Sequence, residues 1–171
     1  MNKRKLSLLA LLPALLLVAL WAVPGAAQAG PTIEQIQQNA VNMWLPLKQN
    51  LPRVSAVELK KIAEQDADIV LVDVRRKDEF EAGHLPGAIH IDRGMLEFEG
   101  PRTLDDPDAK IFVYCRTGPR GALATKRLLD MGYAHVTNID DGFKGWVEAG
   151  LPVFNLHGEF VLTKGGYQKS E

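Results

Sequence analysis

One cysteine, Cys115, stands among 171 residues, so the chain can close no internal disulfide and offers no thiolate pair for zinc. The four histidines, His84, His90, His135 and His157, keep no ligand spacing, and no metal is expected. No phosphate loop or dinucleotide fingerprint is present, so no cofactor is implied. Lysine and arginine form no block and are not interleaved with aromatics, which argues against a nucleic-acid partner. No internal repeat is visible. At this length one domain plus extensions fits, and two full domains do not.

Long apolar runs are missing except at the start. Lys3, Arg4 and Lys5 precede the run Leu6 to Val23, which Pro13 interrupts, and Pro24 to Ala29 is rich in small residues. Ala27 and Ala29 fit the A-x-A rule for cleavage. Residues 1–29 therefore read as a signal peptide of an exported, periplasmic protein, with no membrane attachment once it is removed. A retained anchor is the alternative, because the run approaches the length that spans a bilayer. The mature chain would carry 17 basic against 21 acidic residues.

Export gives the lone thiol meaning. Oxidising compartments favour paired cysteines, so a single one is either a buried hydrophobe or a reactive group. Its setting decides. Ile111-Phe112-Val113-Tyr114 reads as a buried strand, and Ala122 to Met131 as a helix closed by Gly132. Between them lies Cys115-Arg116-Thr117-Gly118-Pro119-Arg120-Gly121. A strand, a tight loop and a helix start form an anion site, with backbone N–H groups turned inward. Cys115 opens that loop, which favours the reactive reading.

The other elements read coarsely. Thr32 with Gln35 makes a capping box, and Ile33, Ile36, Ala40 and Met43 or Trp44 repeat at helical spacing. Residues 30–53 are thus a helical extension, ended by Pro46 and Pro52. It either packs on the domain as a spacer or docks a partner. Ser55 with Glu58 opens a second helix. Ile69 to Val72 is a strand covered on both faces, ending in Asp73-Val74-Arg75. Polar residues beyond the carboxyl end of such a strand are placed to support a site. Lys77 to Ala82 reads as a short helix, Gly83 to Gly87 as a turn, and 93–108 as loop with one helical turn near Met95. His135 to Ile139 is a further strand, and a helix follows to Ala149. Glu159 to Thr163 is a candidate edge strand, and 156–171 otherwise a polar tail. Strands alternating with short helices give an α/β domain with a mainly parallel sheet.

The chain resembles the rhodanese family of sulfurtransferases over roughly Val54 to Val153. Three stretches carry the likeness: Asp73 to Arg75 with Glu79-Phe80 and Gly83 to Ala88; the loop Cys115 to Gly121; and Gly142 to Trp146 with Gly150 to Pro152. The resemblance implies a rhodanese-like three-layer domain over 54–155, with a mainly parallel central sheet flanked by helices. It implies that Cys115 carries a persulfide. Arg116, Thr117, Gly118, Pro119, Arg120 and Gly121 would bind the substrate, Arg116 meeting the donor's anionic end and Arg120 bracing the loop. Asp73 and Arg75 would support that loop from behind. The expected partners are a thiosulfate-like sulfane donor and a thiophilic acceptor, either cyanide or a thiol, including a protein thiol.

Four residues separate Cys115 from Arg120, as in sulfur-transferring members; related phosphatases and arsenate reductases have one more. Family loops often place Ser or Thr after the arginine, where this chain has Gly121. The alternatives kept open are a persulfide carrier without turnover, a protein-binding module, and a phosphatase or arsenate reductase on the same fold.

Overall fold

The structure is a computed structural model, described here for residues 30–163 and 166–169. The expected signal peptide lies outside the described residues. Five short strands pair in parallel in the order β1-β5-β4-β2-β3: β1 Arg53–Val54, β2 Ile69–Asp73, β3 Ile89–His90, β4 Lys110–Tyr114 and β5 His135–Ile139. The helices between them are α2 Ala56–Gln65, α3 Lys77–Ala82, α4 Leu96–Thr103, α5 Pro119–Met131 and α6 Gly142–Glu148, with α1 Ile33–Asn50 preceding the sheet.

Side chains of a strand alternate between faces, and β4 shows why three layers result. Ile111, Val113 and Cys115 face a core shared with Ala124 and Leu128 of α5 and Leu96 of α4. Phe112 and Tyr114 face the opposite core, with Leu59 of α2 and Trp146 of α6. Both faces are covered from Ile111 to Tyr114, so the strand is apolar over those four residues.

Three stretches depart from their sequence reading. Helix α1 runs through Pro46 and ends at Asn50, where the Leu51 N–H bonds to the Leu47 carbonyl at 3.0 Å. A proline deletes its own helical hydrogen bond and crowds the carbonyl four residues back; against that cost, Val41, Trp44, Leu47 and Lys48 are half-buried on the turns around it. Ile33, Ile36 and Met43 of the expected stripe stay exposed.

The loop expected at 93–108 contains α4, eight residues long despite Pro101. Leu96 and Gly100 are buried beneath it, and the Tyr133 hydroxyl donates to the Leu104 carbonyl at 2.7 Å, satisfying its C-terminal end. Packing outweighs propensity here.

The expected polar tail is the third departure. The strand expected at Glu159 to Thr163 is present as β7 Gly158–Thr163, but it is the middle of a small antiparallel sheet rather than an edge, between β6 Val153–Asn155 and β8 Gly166–Lys169, with Phe160 buried in the α2/α6-side core.

Candidate active site

Cys115 is the first residue after β4 and is only 1 % exposed. The loop after it turns at Gly118, whose φ of +100° lies where side chains are strained. A Cβ there would also overlap the Asp140 carbonyl oxygen. Gly118 thereby caps α5, and Pro119 takes the first helical position, where a missing N–H costs nothing. The turn aims the Gly118 N–H at the Cys115 Sγ, at 3.2 Å.

The opposite side of the loop is held by α6. Phe143 N–H donates to the Cys115 carbonyl at 2.8 Å, and Lys144 N–H to the Arg116 carbonyl at 3.0 Å. These are first-turn donors with no partner inside their own helix. Gly142 lies so close that a Cβ would overlap the Cys115 carbonyl oxygen. The carbonyls are thus committed outward, leaving an N–H directed at the sulfur.

Arg116 and Thr117 are exposed at the rim. Arg116 lines a cavity of about 370 Å³ together with Arg75, Glu79, Gly83, Phe143 and Leu162. Arg120, on the first turn of α5, donates from both terminal nitrogens to Glu79 of α3 at 3.0 and 3.1 Å. That fork, and more weakly the nearby Cys115 sulfur, raises the Arg120 pKa. Arg120 in turn holds Glu79 below its ordinary value.

A lowered carboxylate pKa adds stability above its unfolded value, and that stability is lost as pH falls through the folded value. Glu79→Gln is accordingly expected to cost about 1 kcal/mol or less at pH 7, because solvent reaches both partners. In urea melts the two proteins should converge as pH drops below 4.5, the ordinary glutamate value. A constant gap down to pH 3 would show that the charge contributes nothing.

Gly121 is buried behind the loop, where a Cβ would overlap Oδ1 of Asn138 on β5. The Asn138 carboxamide is itself buried, with neither polar atom hydrogen-bonded. The glycine found where family loops often place Ser or Thr is therefore matched by a polar side chain from the next strand.

Asp73 and Arg75 are 0 % and 3 % exposed and form a buried ion pair. Arg75 Nε lies 2.9 Å and Nη2 2.6 Å from Asp73 Oδ2. Nη2 also donates to the Gly83 carbonyl at 2.7 Å. Burial opposes the Arg75 charge, but Asp73 outweighs it and raises the pKa. The guanidinium stacks on the Phe143 ring at 4.1 Å, the residue whose N–H holds the Cys115 carbonyl. The pair thus meets the loop through α6 rather than through the sulfur. Tyr114 lies alongside, its hydroxyl accepting the Leu85 N–H at 3.1 Å; burial, then the Asp73 charge, push its pKa well above 10.

His84 stacks on Phe80 at 3.8 Å, and its Nδ1 lies 2.9 Å from the Phe80 carbonyl. Since a carbonyl can only accept, that nitrogen carries the proton. Among the described residues no group of three or more His, Cys, Asp or Glu is placed to hold a metal, and no helix is long and apolar enough to cross a membrane.

Sequence reasoning missed the parts of this site contributed from afar. Glu79 stood in a motif without a role, and Asn138 was read only as a strand residue. Gly142 and Phe143 stand only as members of the Gly142 to Trp146 motif, whereas they clamp the loop.

A family model described as "Rhodanese-like domain" matches residues 55–149. The chain is 36% identical over 99 residues to the adenylyltransferase and sulfurtransferase of Meyerozyma guilliermondii, an alignment spanning 53% of this chain and 23% of that protein. It is 28% identical over 103 residues to a sulfurtransferase of Allochromatium vinosum, spanning 58% and 94%. It thus spans under a quarter of the fungal relative, and 51% of a relative from Bacillus subtilis. A solved structure from Rhodopseudomonas palustris CGA009, described as of unknown function and suggested to be a tyrosine phosphatase, superposes with a TM-score of 0.61. That alignment has 30% identity and spans 73% of this chain and 98% of that one.

Proposed function

The chain belongs to the rhodanese-like domain family, and from that premise we propose that it transfers a sulfane sulfur through a persulfide on Cys115. With a thiosulfate-like donor, the Cys115 thiolate attacks the outer sulfur. The S–S bond of the donor breaks, sulfite leaves with the bonding pair, and a Cys115 persulfide anion remains. Cyanide or an acceptor thiolate then attacks the terminal sulfur, and the Cys115 thiolate is regenerated with the electron pair. This is covalent catalysis in two half-reactions. On the leader read in residues 1–29, the reaction takes place outside the cytoplasm.

One observation carries the reading: the Gly118 N–H aimed at the sulfur from the start of α5. A helix N-terminus stabilises an anion by about 0.3–1 kcal/mol, and a charge-assisted N–H bond adds to this. Arg116, exposed at the rim, is the group assigned to the anionic end of the donor. Arg120, committed to Glu79, fixes the loop to α3.

Four residues between Cys115 and Arg120 favour sulfur over the wider cradle of a phosphatase. Intact-mass and peptide spectra after thiosulfate treatment test both readings. A gain of about 32 Da on the Cys115 peptide, one sulfur atom, that cyanide removes is expected from the covalent intermediate. No adduct from thiosulfate or polysulfide, with turnover of p-nitrophenyl phosphate instead, would replace this reading with a phosphatase. An adduct that cyanide and thiols discharge once, without sustained turnover from thiosulfate, would make the protein a carrier.

A further inference from the structure

Helix α1 lies outside the matched residues 55–149, yet its last turn reaches the sulfur-binding loop. Lys48 sits two residues beyond Pro46, on the turn that exists only because the helix continues past the proline. Its side chain is 25% exposed. The ammonium lies 3.4 Å from the Thr117 carbonyl oxygen, and Cε is 2.9 Å from where a Cβ on Gly118 would stand. Only a residue without a side chain at 118 lets Lys48 approach so closely.

The carbonyl of Thr117 and the N–H of Gly118 are two ends of one peptide group. Lys48 donates to its oxygen, while its N–H points at the Cys115 Sγ, 3.2 Å away. Hydrogen bonds in series polarise one another. A cation at the oxygen end makes the N–H a stronger donor, and it places positive charge one peptide from the sulfur.

Asp140 tempers that charge. Its Oδ1 lies 3.6 Å from Lys48 Nζ, while Oδ2 lies 3.8 Å from Arg53. Oδ1 is buried and has no hydrogen-bond partner, so its contact with Lys48 is ionic. Asp141 and Glu58 line the same hollow as Arg53 and Asp140, so the positive charge that reaches the loop is that of Lys48 itself, at the Thr117 carbonyl.

We propose that Lys48 is a positioning residue for Cys115, acting through the Thr117–Gly118 peptide to favour the sulfur anion and anionic sulfur donors. The helical extension is then a component of the active site rather than a spacer. This inference rests on Cys115 as the reacting group proposed above.

Its test compares the full chain with Lys48→Met, which keeps an apolar stem of similar length, and Lys48→Arg, which keeps the charge. Cys115 is alkylated at pH 7 with iodoacetate and with iodoacetamide, and the thiosulfate KM and kcat are measured. Lys48→Met is expected to slow iodoacetate about fivefold more than iodoacetamide, an electrostatic discrimination, and to raise KM more than it lowers kcat. Lys48→Arg should restore both within about twofold. The other charges around the loop (Arg116, Arg120 with Glu79, Arg53 with Asp140 and Lys144) are common to all three proteins. A role in packing alone would move the two alkylation rates together and leave their ratio unchanged. An unchanged ratio, or an Arg variant no better than Met, overturns the proposal. Alkylation needs no sulfur donor, so a wild-type protein that takes up no sulfur would strike the sulfurtransfer reading and leave this test standing.

Discussion

Cys115→Ser is expected to lose thiocyanate formation from thiosulfate and cyanide by at least about 10³-fold, equivalent to ~4 kcal/mol of barrier. The reason is chemical rather than structural. A thiol is partly ionised near neutral pH and intrinsically nucleophilic, whereas a hydroxyl needs a general base. Among the described residues no histidine is hydrogen-bonded to Cys115; His84 and His90 are bonded to the carbonyls of Phe80 and Arg75. The serine hydroxyl can still accept the Gly118 N–H, so the unfolding free energy should change little, by about 1 kcal/mol at most. Wild-type initial rates should give parallel lines as donor and acceptor are varied. A serine variant that keeps a tenth of the activity, or intersecting lines in the wild type, would remove the persulfide from the mechanism.

The conformation of the Cys115–Gly121 loop is legible because its parts are adjacent in sequence. A buried strand, Cys115, two glycines and a helix start occupy consecutive positions, and each has a local physical signature. Asp73 and Arg75 were legible for the same reason, at the end of an apolar strand. What sequence could not show is contact across the fold. Gly121 is a glycine because of Asn138, 17 residues later on a neighbouring strand. Lys48 meets Thr117 at a separation of 69 residues, and Pro46 concealed the turn that carries it. Helix α4 was hidden by Pro101 and Gly100. The helix forms because its buried Leu96 joins Leu128 of α5 in one core. Propensity scores the local cost, and packing returns the gain.

Arg75→Met should be the most destabilising surgical change short of the core, by about 3–5 kcal/mol, the range for a buried pair that loses one partner. The methionine leaves the Asp73 carboxylate in the interior with the Arg75 backbone N–H, at 2.9 Å, as its remaining bond of this group. It also removes the donor to the Gly83 carbonyl and the cation on the Phe143 ring. Domains of this kind are held by about 5–15 kcal/mol in total, so the urea midpoint should fall by about a fifth or more. Asp73→Asn combined with Arg75→Met should recover part of that loss, because a neutral carboxamide is far less costly to bury than an unpaired anion. Recovery separates the cost of stranding a charge from the worth of the pair itself. Arg75→Lys keeps the charge but not the planar fork that reaches Asp73 and Gly83 together. It should therefore fold better than the Met variant and still transfer sulfur more slowly than the wild type. The slow step arises because Phe143, no longer pinned from behind, holds the Cys115 carbonyl less firmly. If the Lys variant folds like wild type and reacts at full rate, the pair serves the scaffold alone, and the path from Arg75 through Phe143 to the loop carries nothing.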